Sequence, residues 1–255
     1  MTAWQLTAFL LCVTLAASTQ AITGFALSLI LLGLTGLFRL APLTDVANVA
    51  TVLSLASGAT ALHASRKGLD LRILRATLAG SVPGVPAGLL LLAWLSANAV
   101  LGLRLLLGLV VLACAIIVLL RPQPLPRISS GASFGGYGFV SGLLGGLFSA
   151  SGPPLVYQMY RQPLPVDAVR DTLVACLCVG AGLRLAMVVG SGGFGSLSLQ
   201  LCLLAVPWAM AVTWWVRRHP PAWPRETVLK IVCGLLAITS LGLMGPAVHG
   251  LAAKL

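Results

Sequence analysis

Residues 147 to 154 read LFSASGPP, in the middle of a strongly apolar stretch that extends from Phe134 to Tyr160. Proline and glycine interrupt helices, and serine competes with the helix for backbone hydrogen bonds. An ordinary membrane helix would not place these residues at its centre. Non-helical backbone at membrane depth is tolerated only where protein or a water-filled cavity satisfies its hydrogen bonds, so the break indicates a specialised structure.

The composition of the chain is typical of a multi-pass membrane protein. Of the 255 residues, 58% are hydrophobic and only 8% are charged, and the mean hydropathy is +1.02. A soluble domain carries roughly 25% charged residues. Apolar runs of about 20 residues recur along the chain. The first run lacks the basic start of a signal peptide and is followed directly by more apolar sequence, so we expect it to be retained. We predict one all-α membrane domain over residues 1–255.

The distribution of basic residues indicates how the break at Ser149–Pro154 is used. Basic loops occur at 65–75, 121–127 and 217–226. If the chain crosses the membrane once over 137–160, the first and third of these loops face opposite sides. If the chain enters, turns and returns, all three face the cytoplasm, as the positive-inside rule favours. The twelve residues Tyr137–Phe148 span about 18 Å of helix, less than the ~30 Å core. We therefore predict a re-entrant hairpin, and we attribute the net charge of +11 to membrane topology and not to nucleic-acid binding.

The first half of the chain shows the same plan. The apolar run Trp4–Phe38 is too long for one ordinary crossing and is interrupted by STQAITG at 18–24. Each hairpin is followed by three longer predicted helices, at 43–63, 73–95 and 99–120 in the first half and at 172–190, 197–216 and 227–248 in the second. Loop charge is exchanged between the halves, which is typical of an inverted repeat. We predict repeats over 1–120 and 131–255, joined by a cytoplasmic linker at 121–130.

The two breaks are the predicted binding site for an anion. Serine hydroxyls and free amides are available at 149–152, and the prolines that follow can occupy the first turn of a helix. A helix N-terminus carries partial positive charge and suits an anion. In the first half, polar residues likewise precede the leg Phe25–Phe38, so we expect two helix N-termini to meet near the membrane centre. The alternative is that both breaks are helix kinks relieved by close packing of small residues.

Two polar stripes on the longer helices point to the same region. Asn48, Thr51 and Ser54 follow helical spacing on the first long helix, and Arg184 ends such a stripe on its counterpart in the second half. An arginine within the membrane is a functional candidate, although its side chain could instead extend to the surface. The substrate-binding residues that we predict are Gln20, Thr23, Gly24, Phe25, Ser28, Asn48, Ser149, Ser151, Gly152, Pro153 and Arg184.

Three segments of the chain, at 21–34, 138–160 and 169–194, resemble the paired signatures of the TauE/SafE family of sulfite exporters and anion permeases. In the first repeat, Ala26 and Ser28 stand where several family members have glycine. The resemblance implies a secondary transporter of a small sulfur-containing anion, such as sulfite or an organosulfonate, that works by alternating access. It also implies a bacterial inner-membrane location and a site formed by the two broken segments.

Other residues offer little support for a different activity. The acidic residues Asp45, Asp167 and Asp171 lie at predicted helix starts, where capping and the helix dipole explain them. The six cysteines lie in apolar runs without the spacing of a zinc site, so we interpret them as buried thiols. A redox subunit would need haem- or metal-ligating clusters, and the three histidines lie at helix ends or in loops. We therefore assign no catalytic residue, metal or cofactor. An accessory or redox subunit without transport activity of its own remains the alternative.

Overall fold

The computed structural model describes residues 3–23, 26–64, 69–119, 125–219, 233, 234, 236–242 and 244. Throughout these residues the chain forms helices joined by short turns, and none of them is in a β-strand. The helices are α1 Ala3–Thr23, α2 Leu27–Leu37, α3 Leu43–Ala64, α4 Leu71–Asn98, α5 Val100–Leu119, α6 Gly131–Phe148, α7 Gly152–Tyr160, α8 Val166–Gly190 and α9 Ser196–Arg218. The residues described between 233 and 244 are also helical and belong to the helix predicted over 227–248.

The lengths of the helices agree with a multi-pass membrane protein. Three segments in the described part of the chain are long and apolar enough to cross a membrane: Leu71–Asn98, Asp167–Gly190 and Ser196–Val216. They correspond to the helices predicted at 73–95, 172–190 and 197–216. Helix α3, with 22 residues, and α5, with 20, lie at the positions predicted for the other two long helices of the first half. The prediction of an all-helical multi-pass chain is therefore confirmed.

The helix break of the second half lies where the sequence placed it. Helix α6 ends at Phe148 and α7 begins at Gly152, with Pro153 in its first turn. Between them, Ser149 adopts a left-handed conformation with φ 55°. Helix α6 begins at Gly131, six residues before the predicted start. At about 27 Å, α6 is long enough to cross most of a membrane core. The direction of α7 is therefore shown by its contacts with α6 and not by the length of α6.

The break of the first half lies later than predicted. Helix α1 continues through the polar segment at 18–24 as far as Thr23, so Gln20 and Thr23 belong to the helix and not to the break. A helix tolerates a polar side chain that bonds to its own backbone, as the Thr19 hydroxyl does when it donates to the Leu15 carbonyl at 2.8 Å. Helix α2 begins at Leu27, directly after Ala26, whose φ of 80° is also left-handed. The predicted site residues Gly24 and Phe25 lie outside the described residues.

Helices α6 and α7 form an antiparallel hairpin. Near the break, the Ser141 hydroxyl donates to the Ser151 carbonyl at 2.6 Å. At the other end, the Ser129 amide donates to Gln162 Oε1 at 2.9 Å, and Gln162 Nε2 donates to Ser129 Oγ at 3.1 Å. Bonds at both ends of the pair show that α7 returns to the end of the bundle from which α6 starts.

The same end of the bundle also holds the starts of α4 and α8. The Leu125 amide donates to the Arg161 carbonyl at 2.7 Å. The amide of Asp70, which caps α4, donates to Thr172 Oγ1 at 3.0 Å. We call this the basic end, since the described basic residues of segments 65–75, 121–127 and 161–170 lie there: Arg72, Arg75, Arg127, Arg161 and Arg170. The opposite end, which contains the α8–α9 turn at 191–195, is called the neutral end.

Helices α4 and α6 pack side by side at backbone contact distance. Successive glycines of α6, at 138, 142 and 146, face the carbonyl oxygens of Thr77, Ser81 and Val85 of α4 in that order, and a Cβ atom on any of them would overlap its carbonyl. Residue numbers rise together on both helices, so the pair is parallel. Such close approach is possible only where glycine replaces a larger side chain.

The remaining helix contacts follow a repeating pattern. Helix α1 packs on α9, as α4 packs on α6. Helix α3 contacts both α8 and α9, and α4 contacts α8. The larger hydrophobic core joins α1, α2, α3, α5 and α9 with Leu92 of α4 and the end of α6, and a smaller one joins α4, α6, α7 and α8. Helices α3 and α8 thus meet at the centre of the bundle, where the polar stripes predicted from the sequence lie.

Candidate functional site

Arg184 is the central residue of the site. Its side chain projects from α8 and is only 1% exposed, which makes it the largest fully buried side chain among the described residues. The guanidinium Nε donates to the Gly146 carbonyl at 3.1 Å, and Nη1 donates to Thr51 Oγ1 at 2.6 Å. Nη1 also lies 3.2 Å from Asn48 Oδ1 and 3.3 Å from the Ala47 carbonyl. The side chain therefore points into the bundle and does not extend to the surface.

Helix α3 supplies most of the partners of Arg184. Asn48 and Thr51 are three residues apart, so both face α8 from one side of α3. The Thr51 hydroxyl accepts from Arg184 and also lies 2.8 Å from the Ala47 carbonyl and 3.0 Å from Ser149 Oγ. The site thus joins three parts of the chain: α3, α8 and the break after α6.

The end of α6 explains how a backbone carbonyl reaches Arg184. The last four carbonyls of a helix have no partner within it. The Gly145 carbonyl accepts from the Ser149 amide at 2.9 Å, and the Leu144 carbonyl accepts from the Ala150 amide at 3.3 Å. The Gly146 carbonyl accepts from Arg184. A left-handed serine costs roughly 1 to 2 kcal/mol, and here it turns the chain so that its hydroxyl reaches Thr51.

The hydrogen-bonding capacity of Arg184 is not used up. Among the described residues, its Nη2 atom is buried and has no hydrogen-bond partner. The partners of its other nitrogens are all neutral: two carbonyls, an amide and a hydroxyl. A buried donor without a partner costs roughly 1 to 3 kcal/mol, and more when it is charged. The arrangement therefore fits an anion that binds at Nη2.

Helix α2 approaches the same face of α3. Ser28 is 6% exposed, and its hydroxyl oxygen lies 3.4 Å from Ser54 Oγ. Ser54 is one helical turn beyond Thr51, so the hydroxyls of Thr51 and Ser54 lie along the face of α3 that binds Arg184. The structure thus bonds Arg184 directly to Asn48, links Ser149 to Arg184 through Thr51, and places Ser28 nearby through Ser54.

Two comparisons with known proteins give matches over most of the chain. Residues 9–243, which include every residue of the site, match the family model described as Sulfite exporter TauE/SafE. The chain belongs to the TauE/SafE family. It is 36% identical over 232 residues, covering 90% of each chain, to a protein of Cupriavidus necator named "Probable sulfite/organosulfonate exporter TauE". No solved structure gives a significant match.

Other predicted site residues of this TauE/SafE protein are not hydrogen-bonded to Arg184. The Ser151 hydroxyl lies against Gly145, where an added Cβ would be 2.5 Å away, so it faces α6. Gly152 and the buried Pro153 form the first turn of α7. Gln20 is half-buried on α1, and its Oε1 atom has no hydrogen-bond partner in the described part of the chain. The side chain of Thr23 lies outside the description.

Sequence reasoning missed two residues of the network around Asn48. Asn48 Nδ2 donates to Ser198 Oγ of α9 at 3.2 Å and to the Gly193 carbonyl at 3.1 Å. The Ser198 hydroxyl in turn donates to Asp45 Oδ1 at 2.6 Å. Asp45 is in the first turn of α3, where capping alone was expected. Ser198 carries no signal in the sequence, because its partners lie about 150 positions away.

Proposed function

We propose that this protein exports a small sulfur-containing anion, such as sulfite or an organosulfonate, across the bacterial inner membrane by alternating access. Family membership and the name of the Cupriavidus necator relative support an exporter of such anions. The family match also favours transport over a redox or accessory role. The observation that carries the proposal is the buried, incompletely bonded guanidinium of Arg184.

The chemistry around Arg184 suits a tetrahedral or pyramidal oxyanion. The two N–H groups of Nη2 can donate to anion oxygens, and charge-assisted hydrogen bonds of this kind are about twice as strong as neutral ones. The Thr51 hydroxyl bonds the neighbouring Nη1 at 2.6 Å and lies 3.0 Å from Ser149 Oγ, so we expect both hydroxyls to add weaker contacts. The hydrogen-bond partners of Arg184 are all neutral, so a small anion can bind to it without the desolvation of a second ionic group. The Ser149 break contributes a hydroxyl and leaves the Gly146 carbonyl available to Arg184.

The helix contacts support two inverted repeats over 1–120 and 131–255, joined by the linker 121–130. We pair α1 with α6, α2 with α7, α3 with α8 and α4 with α9. Exchanging each helix for its counterpart converts the α4–α6 contact into the α9–α1 contact, and the α3–α9 contact into the α8–α4 contact. The α3–α8 contact is unchanged by the exchange. A pseudo-two-fold axis between α3 and α8 would pass near Arg184. Alternating access in such proteins exchanges the roles of the two halves around the central site.

The α6–α7 hairpin is, in this proposal, re-entrant from the cytoplasm, with the basic end on the cytoplasmic side. This orientation places the basic loops inside, as expected. Single cysteines provide the test, in a background without the six native thiols: Pro126→Cys and Pro163→Cys flank the hairpin, and Ser196→Cys marks the neutral end. A membrane-impermeant maleimide added to intact cells should label only Ser196→Cys. Labelling of Pro163→Cys without Pro126→Cys would show that the chain crosses the membrane between them.

Transport by purified protein in liposomes tests the role of Arg184. Arg184→Gln should reduce sulfite transport by about 10- to 100-fold, because a hydrogen bond to a charged group contributes about 1.5 to 3 kcal/mol. Arg184→Lys should restore little, since lysine lacks the planar fork of donors. Arg104→Gln on α5, where the arginine is half-buried, is the matched control and should transport normally. Wild-type rates in folded Arg184→Gln protein would refute the proposed site.

A further inference from the structure

We propose that Asp45 is the internal countercharge of the anion site, and that it sets the affinity for the anion through Ser198 and Asn48. Asp45 would be a positioning residue, since it reaches Arg184 only through other side chains. This inference rests on the proposed function, because it takes Arg184 as the group that binds the anion.

A directed chain of hydrogen bonds links the two charged groups. Arg184 Nη1 donates to Asn48 Oδ1 at 3.2 Å, and Asn48 Nδ2 donates to Ser198 Oγ at 3.2 Å. The Ser198 hydroxyl then donates to Asp45 Oδ1 at 2.6 Å. Each group gives its proton toward Asp45, so the carboxylate is the final acceptor of a chain that begins at the guanidinium.

The orientation of the Asn48 amide is determined from both sides. The guanidinium can only donate, so the amide oxygen must face Arg184. The Gly193 carbonyl can only accept, so the amide nitrogen must face the α8–α9 turn, where it bonds at 3.1 Å. Ser198 offers its lone pairs to the same nitrogen because its proton is given to Asp45. Loss of the carboxylate would free the serine proton and weaken this arrangement.

The burial of the chain makes the charge of Asp45 effective at the site. The exposed fractions are 1% for Arg184, 4% for Asn48 and 0% for Ser198. In such surroundings charges interact more strongly than in water, and linked hydrogen bonds polarise one another. Asp45 itself is half-buried at the neutral end of α3. With the site empty, the carboxylate therefore compensates part of the positive charge that the neutral partners of Arg184 leave unbalanced.

An anion at Nη2 would compete with Asp45 for the positive charge of Arg184 and would be repelled by it. The path from the anion through Arg184, Asn48 and Ser198 to the carboxylate is about 16 Å long and bends at each atom, so the direct separation is on the order of 12 Å. With an effective dielectric constant of about 20, repulsion at this distance corresponds to a factor of roughly ten in affinity. Asp45 should therefore weaken binding and speed release, which is useful in an exporter that must discharge its substrate.

The decisive variant is Asp45→Asn, which removes the charge and keeps an oxygen that accepts from Ser198. Calorimetry with sulfite on the purified full-length protein should show a Kd roughly tenfold lower than in the wild type. In liposomes, the half-saturating sulfite concentration and the maximal rate should both fall, because release slows. Asp45→Ser, which also keeps an acceptor oxygen without charge, gives the same measurement if Asp45→Asn does not fold.

Two further variants separate charge from structure. Asp167→Asn makes the same charge change at the basic end of α8, 17 residues and about 25 Å from Arg184, and should leave the Kd unchanged. Ser198→Ala keeps the charge of Asp45 but removes an acceptor from Asn48, and should raise the Kd. If Asp45 only stabilised the fold, Asp45→Asn and Ser198→Ala would both weaken binding.

The two proposals fail in different ways. A folded Asp45→Asn protein whose Kd is equal to or higher than that of the wild type would overturn the role of Asp45, provided that Arg184→Gln binds sulfite more weakly than the wild type. If Arg184→Gln binds and transports sulfite like the wild type, the proposed site itself is wrong. A lower Kd in Asp45→Asn together with an unchanged Kd in Asp167→Asn supports the inference.

Discussion

Gly146 lies where the packing of the bundle and the geometry of the site depend on one another. Its Cα faces α4, and its carbonyl accepts from Arg184 at 3.1 Å. A Cβ atom added to this residue would lie 2.8 Å from the Leu89 amide nitrogen and 2.9 Å from the Gly88 Cα, and it would overlap the Val85 carbonyl. All three are backbone atoms, so none can rotate away. We expect Gly146→Ala to push α6 from α4 by on the order of 1 Å, since ordinary contacts begin near 3.5 Å.

Gly136→Ala in the same helix is the reference for the expected loss of stability in Gly146→Ala. An added Cβ at Gly136 meets nothing within 4 Å among the described residues. Both variants gain the same helix propensity, about 1 kcal/mol for alanine over glycine, so this contribution cancels between them. Overpacking against a rigid neighbour costs about 1 to 3 kcal/mol. At about 2 to 4 °C per kcal/mol for a chain of this size, the Tm of Gly146→Ala should lie roughly 2 to 12 °C below that of Gly136→Ala.

The assay is thermal denaturation of both variants in the same detergent, followed by sulfite transport in liposomes. A shift of about 1 Å would lengthen the bond from Arg184 to the Gly146 carbonyl beyond hydrogen-bonding distance. Transport by Gly146→Ala should therefore fall at temperatures where the protein is still folded, and transport by Gly136→Ala should not. Equal Tm values and equal rates would show that α4 and α6 do not approach as closely as described, and that the Gly146 carbonyl is not needed.

Three further substitutions test individual contacts. Thr51→Val keeps the shape of the side chain but removes the hydroxyl that lies 2.6 Å from Arg184. Its sulfite affinity, measured by calorimetry, should fall about 5- to 20-fold. The control is Thr35→Val, which should bind sulfite normally because the Thr35 hydroxyl bonds within α2, at 2.6 Å. Ser149→Gly removes the hydroxyl and relieves the strain of the left-handed backbone. Its Tm should therefore match or exceed that of the wild type, while its sulfite affinity falls. A Tm lower than that of Ser149→Ala would contradict this account. Asp70→Ala removes the capping carboxylate that accepts from the amides of Arg72 and Ile73 at 3.0 and 3.1 Å. The free energy of unfolding should fall by about 1 kcal/mol, and transport in liposomes should be unchanged. A loss of transport in folded protein would assign Asp70 a further role.

Sequence alone determined the helical membrane class and the position of the second break. Apolar run length, Ser149–Pro154 and the order of basic and neutral loops were sufficient, because backbone preferences and partition into the membrane depend on residues near one another in the chain. The same reasoning placed the first break too early, because α1 continues as far as Thr23 and accommodates polar residues such as Thr19, whose hydroxyl donates to the Leu15 carbonyl.

Tertiary structure decided what Arg184 does. Its sequence position is compatible both with extension to the surface and with burial, and only the placement of α3 and the end of α6 shows that its donors have partners inside the bundle. The link from Asp45 through Ser198 to Asn48 joins residues about 150 positions apart. No local pattern encodes such a link, because a hydrogen bond between helices exists only after packing has brought the two side chains within about 3 Å of one another.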